Sequence, residues 1–125
     1  MRDKLNIIFF GDIVGKPGRT LVADYVASNN LSKDNFLIAN IENASHGFGL
    51  TEKNYEEFVA LGIDVMTSGN HIWDKKDIFN YIDNAEKLLR PINYAHYAPG
   101  VGSKVFENVE VKAGQRTYLH CRTAL

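Results

Sequence analysis

The stretch "FGDIVGKPGR", residues 10–19, is where an apolar run stops and a polar loop begins. The run itself, Leu5–Phe10, is continuous and rich in aromatic and β-branched residues. That is the pattern of a strand covered on both faces, as in a parallel sheet. Gly11 ends it, Asp12 follows, and Gly15, Pro17 and Gly18 punctuate the loop. Proline is well tolerated at a first helical position, so a helix is predicted to begin near Pro17. Leu21, Val22, Tyr25 and Val26 then form an apolar stripe at helical spacing. An unpaired carboxylate is costly to bury. Asp12 is therefore expected at the rim of the sheet rather than inside it.

The same grammar repeats along the chain. Phe36–Ile41 reads as a second strand and "ENASHGFG" as a glycine-containing loop. Thr51 can cap a second helix with Glu52 in its first turn. Tyr55, Phe58, Val59 and Leu61 face the core, and Gly62 terminates the helix. Ile63–Ser68 reads as a third strand and "GNHIWD" as the next loop. A third helix is predicted from Asp74 or Lys75, with Ile78, Phe79 and Ile82 apolar. A fourth short strand is predicted in "RPINY", and "KVFENVEV", "KAGQ" and "RTYLHC" read as a C-terminal hairpin. Alternating strands and helices predict an α/β fold: a parallel sheet core with flanking helices and right-handed crossovers.

With 125 residues, 45% hydrophobic and 23% charged, the composition is that of one globular domain over 1–125. The formal net charge of −1 provides no basic field for duplex nucleic acid. The single cysteine, Cys121, cannot form a disulfide within the chain, which fits a reducing, cytoplasmic setting. The N-terminal apolar run is too short to span a bilayer, so no membrane association is expected.

In open parallel sheets, ligands bind beyond the carboxyl ends of the strands. The predicted exits here carry Asp12, then Glu42-Asn43, then Asn70-His71. Adjacent parallel strands lie about 4.8 Å apart, so these side chains can converge on a site one or two ions wide. Carboxylates, carboxamides and an imidazole suit manganese, iron or zinc better than soft copper. A carboxylate such as Glu42 can bridge ions held roughly 3.5–4 Å apart, a spacing used to clamp and polarise phosphates. Each part also has a plain structural reading. Asp12 can make an Asx-turn or cap, Glu42-Asn43 can be solvated loop polarity, and Asn70-His71 can be a turn with a satisfied histidine. "GKPGRT" departs from both common phosphate-loop patterns. His46 can touch a substrate phosphate or pack its loop. His96 and His120 read as surface or structural residues.

"GDIVGKPGR", "ENASHGFGLT", "GNHIWDKKDIF" and "RPINY…PGVG" together resemble a bacterial calcineurin-like metallophosphoesterase family that includes 2′,3′-cyclic-nucleotide 2′-phosphodiesterases. The resemblance runs in order from Ile7 to Gly102. It implies a four-layered α/β/β/α sandwich and two divalent metal ions, iron or manganese foremost, with zinc or magnesium as alternatives. It implies metal-site roles for Asp12, Glu42, Asn43 and Asn70, with Glu42 bridging and His71 protonating the leaving oxygen. It implies a small phosphodiester or cyclic-nucleotide substrate. The family pattern continues past this chain and supplies further histidine ligands there, so 1–125 is expected to be about half of the sandwich, incomplete at its C-terminal side. Half a sandwich exposes an apolar sheet face, which predicts a homo-oligomer. Weak or absent turnover by the chain alone is the corresponding expectation. The rival readings are a non-catalytic binding or assembly module and a nucleotide-binding α/β domain.

Overall fold

A computed structural model of the chain describes residues 5–109 and 116–124. Its centre is a parallel sheet of β1 (Asn6–Phe10), β2 (Asn35–Asn40) and β3 (Val65–Thr67), in the order β1-β2-β3. Register pairs Ile8 with Leu37 and Phe10 with Ala39 across β1 and β2, and Ala39 with Met66 across β2 and β3. Alternation along each strand puts these residues on one face. There they pack with Val22, Val26, Tyr55, Phe58, Ile78 and Tyr81 from the helices. Leu37, Ala39 and Met66 are fully buried in this main core.

The crossovers are α1 (Gly15–Ser28) and α2 (Glu52–Leu61). Helix α1 opens at Gly15 rather than at Pro17, and Gly15 has a φ of +60°, which glycine adopts without a Cβ penalty. Only Val22 and Val26 of its predicted stripe are buried, while Leu21 and Tyr25 are exposed. Tyr25 instead meets the edge of Phe10 at a ring separation of 6.3 Å. Helix α2 has the expected ends. Thr51 accepts from the Asn54 amide at 3.2 Å, and Gly62 closes the helix at φ +100°.

Three elements differ from the sequence reading. "GNHIWD" is not an open loop: Asn70–Trp73 winds into a 3-10 turn. The third helix is a single turn, α3 (Ile78–Tyr81), continued by a 3-10 turn over Ile82–Asn84. The fourth sheet position falls on Leu88 and Leu89, not on "RPINY". Leu89 donates to the Met66 carbonyl at 2.9 Å, and Met66 donates to Lys87 at 2.7 Å. Pro91 has no N–H to continue such a ladder. Leu89 also bridges to Val101, so the sheet is extended by isolated pairings beyond β3.

β4 (Ser103–Val109) pairs antiparallel with β5 (Arg116–Arg122). The connection expected between them falls outside the described residues. Phe106, Leu119 and Cys121 pack on Phe36, Val65 and Leu89, the sheet face opposite the helices. This cover does not reach β1, where Ile7 is 53% and Phe9 57% exposed. The expectation that β1 is covered on both faces is therefore corrected. β1 is the edge of its sheet, and the antiparallel pair lies over β2 and β3 instead. Among the described residues no helix is long and apolar enough to cross a membrane.

Candidate functional site

The carboxyl ends of β1, β2 and β3 are stapled to one another by backbone hydrogen bonds. Ile13 donates to the Asn40 carbonyl at 3.1 Å, Gly15 to Asn43 at 2.9 Å, and Ile41 to Thr67 at 2.9 Å. The loop after β2 folds back on itself, with Gly49 donating to the Glu42 carbonyl at 2.5 Å and Ser45 to Gly49 at 3.0 Å. Buried Ser45 and Leu50 anchor it, and the Ser45 hydroxyl donates to Asn54 of α2 at 2.6 Å. Arg19 of α1 donates to the Ala44 carbonyl at 2.6 Å. The three exits thus form one backbone platform.

On that platform the side chains of Asp12, Asn43 and His71 form a hydrogen-bonded chain. The Asn43 amide nitrogen lies 3.0 Å from each carboxylate oxygen of Asp12. The Asn43 oxygen lies 2.6 Å from Nδ1 of His71. A carboxylate only accepts, so the amide must turn its NH2 toward Asp12 and its oxygen toward the imidazole. Nδ1 of His71 then carries the proton, and Nε2 is left as the nitrogen that gains or loses one. Glu42 approaches the same nitrogen, with Oε2 at 3.8 Å from Nδ1. Asp12 is exposed, while His71 and Glu42 are partly buried.

Gly69 makes room for Glu42. A Cβ at residue 69 would lie 2.3 Å from Oε2 and 2.6 Å from Oε1. The ring of Phe48 meets His71 edge-on, with centroids 5.0 Å apart. Neither residue stands out by its own chemistry. The only signal for Gly69 is its place ahead of Asn70-His71, and for Phe48 its place between two glycines.

Asn70 is exposed at the first position of its 3-10 turn, and no hydrogen bond among the described residues ties its side chain to the others. His46 is also exposed, in a left-handed conformation at φ 57°, and is likewise not hydrogen-bonded to the cluster. His96 and His120 are exposed too. Among the described residues no three histidine, cysteine, aspartate or glutamate side chains are gathered at one point.

The donor chemistry still fits a hard or borderline divalent ion. Asp12 and Glu42 supply carboxylates, Asn43 a carboxamide, and the glycine gap at residue 69 accommodates the Glu42 carboxylate.

A family model described as YmdB-like protein matches residues 8–119. The chain belongs to the YmdB-like family. One relative, from Bacillus subtilis, is named 2′,3′-cyclic-nucleotide 2′-phosphodiesterase; it is 48% identical over 99 residues, covering 78% of this chain and 38% of its own length. A crystal structure described as a novel phosphatase from Mycoplasma pneumoniae superposes with a TM-score of 0.75 at 36% identity, over 87% of this chain and 41% of that one. A Thermus thermophilus structure described as a hypothetical protein gives a TM-score of 0.74 at 30% identity, over 90% and 42%. This YmdB-like chain spans about two-fifths of the length of the relatives it matches.

Proposed function

We propose that the chain carries the strand-exit half of a metal-dependent phosphodiesterase centre whose substrates are 2′,3′-cyclic nucleotides. The observation that carries this reading is the Asp12–Asn43–His71 chain beside Glu42 at three neighbouring strand ends. The name of the Bacillus subtilis relative supports the substrate class. Divalent ions, when bound, supply positive charge for the phosphate and lower the pKa of a bound water. In this reading Asp12, Glu42, Asn43 and Asn70 would hold those ions.

His71 is the general acid. Asn43 holds its Nδ1 proton in place, so the imidazolium delivers the other proton, from Nε2, to the leaving oxygen of the phosphodiester. His46, on the loop that carries Asn43, is proposed to contact the substrate. The exposed Ile7–Phe9 face and the antiparallel pair over β2 and β3 support an assignment to about half of a four-layered sandwich.

Turnover by this chain alone is expected to be weak, because no three acidic, thiol or imidazole donors gather at one point among the described residues. That same observation favours a second reading, a binding or assembly module that keeps the fold. Metal analysis of freshly purified protein, with hydrolysis of bis-p-nitrophenyl phosphate, separates the two. Hydrolysis that disappears in His71→Ala supports the enzyme. Less than one metal per chain with no hydrolysis supports the module.

A further inference from the structure

We propose that Phe48 is the platform on which the base of a nucleotide stacks, and so the residue that distinguishes nucleotides from base-free phosphodiesters at this site. The inference rests on the phosphodiesterase reading and deepens it.

Phe48 is 54% exposed in a loop whose neighbours Ser45, Gly49 and Leu50 are buried. Holding a large apolar ring in water is unfavourable, yet the backbone is built to do so. Gly47 and Gly49 flank it at φ +91° and +77°, conformations that side chains rarely adopt. The Phe48 amide donates to Ser45 at 3.3 Å, and Gly49 is tied to the Glu42 carbonyl. The ring is therefore fixed to the same platform as the polar cluster. It does not join the exposed apolar face of the sheet, which belongs to Ile7 and Phe9 on β1.

Its neighbour is His71, met edge to face at 89°. Phe48 and His71 are in direct ring contact, with centroids 5.0 Å apart, and one sugar ring separates the phosphate from the base in a nucleotide. A phosphodiester whose leaving oxygen meets His71 therefore brings its base within reach of Phe48. Stacking on a phenyl ring is tolerant of base identity, because every base has a π-face. Phe48 is thus expected to favour nucleotides as a class without choosing among bases.

The test compares binding of adenosine 2′,3′-cyclic phosphate with that of methyl riboside 2′,3′-cyclic phosphate, which lacks a base, to the full chain supplied with Mn²⁺. Wild type is expected to prefer the nucleotide by about tenfold, within the range that base stacking on an aromatic ring delivers. Phe48→Ala should reduce that preference to within about twofold and leave affinity for the methyl riboside ester unchanged. Phe48→Trp should retain the preference. About half of the ring packs against its surroundings, so Phe48→Ala is expected to unfold slightly more easily, and binding is compared where circular dichroism shows all three proteins folded. A preference that survives in Phe48→Ala, or its absence in wild type, overturns the proposal. If neither phosphate ester binds more tightly than its uncharged parent, the phosphodiesterase reading fails separately. Adenosine against methyl riboside then decides Phe48 by the same criterion.

Discussion

The Glu42 carboxylate rests where a side chain at Gly69 would have to be. The backbone at Gly69 is extended, with φ −129°, so any residue can adopt it and space alone requires glycine there. Gly69→Ala therefore forces the carboxylate out of place. The displaced atoms are the far end of a flexible, partly exposed side chain, so the unfolding free energy should change by less than about 1 kcal/mol. Mn²⁺ affinity should fall in the same variant. Denaturant titration and calorimetric metal titration measure the two effects, and unchanged metal affinity would remove Glu42 from the ion site.

Asn43 sets the tautomer of His71. In wild type, nitrogen-15 spectra of the imidazole should show the proton on Nδ1 in the neutral form, because the Asn43 oxygen faces that atom. Asn43→Leu is close in size but offers no acceptor. The neutral ring should then move toward the Nε2–H tautomer, with the backbone spectrum of the sheet preserved. A wild-type ring already protonated on Nε2 would contradict the Asp12–Asn43–His71 chain.

Asp64 gives the stability a definite pH dependence. Burial pushes its carboxyl above the ordinary value of 3.8, against the opposing effects of the Leu37 amide hydrogen bond and of Lys87. The folded state thus binds this proton more tightly than the unfolded state does. The stabilising contribution is full below the ordinary value and is lost as pH rises through the raised folded value. Asp64→Asn keeps an acceptor for Leu37, which donates at 2.8 Å, and has no charge to desolvate. It should be more stable than wild type at neutral pH, with the advantage shrinking as the solution is acidified. Melting midpoints measured across that range test the sign.

The open edge of β1 and the exposed Ile7 and Phe9 should make the chain self-associate. Edge strands with an apolar face are the usual site of such pairing. Phe9→Glu places a charge on that face without disturbing the main core, which lies on the other side of the sheet. Sedimentation velocity should show wild type heavier than one chain and Phe9→Glu as a monomer. A wild type that sediments as a monomer at high concentration would refute this.

The parts that could be read from the sequence are those fixed by local chemistry. Thr51 and Gly62 bracket α2 because capping needs only a hydroxyl and a residue free to adopt positive φ. The exits of β1 and β2 were legible because an apolar run stops at Asp12 and again at Glu42. What failed depends on neighbours distant in sequence. Leu88 and Leu89 are too short a run to announce a strand, and they pair because Met66 presents its backbone. Phe79 fits the periodicity of a core residue, yet it is exposed and stacks on Trp73 at 5.6 Å. Periodicity shows that β1 is apolar on both faces but not how many layers cover it. At the site, residue types were readable, whereas the direction of the hydrogen bonds through Asn43 was not.

The parallel order β1-β2-β3 also has a consequence for biosynthesis. Every member of the hydrogen-bonded cluster lies between Asp12 and His71, well before Ser103 begins the antiparallel pair. On a ribosome the N-terminal portion of a chain is available to fold first. The polar cluster can therefore assemble while the residues that shield the opposite face are still being translated. During that interval Phe36 and Val65 lack their cover and are open to a chaperone.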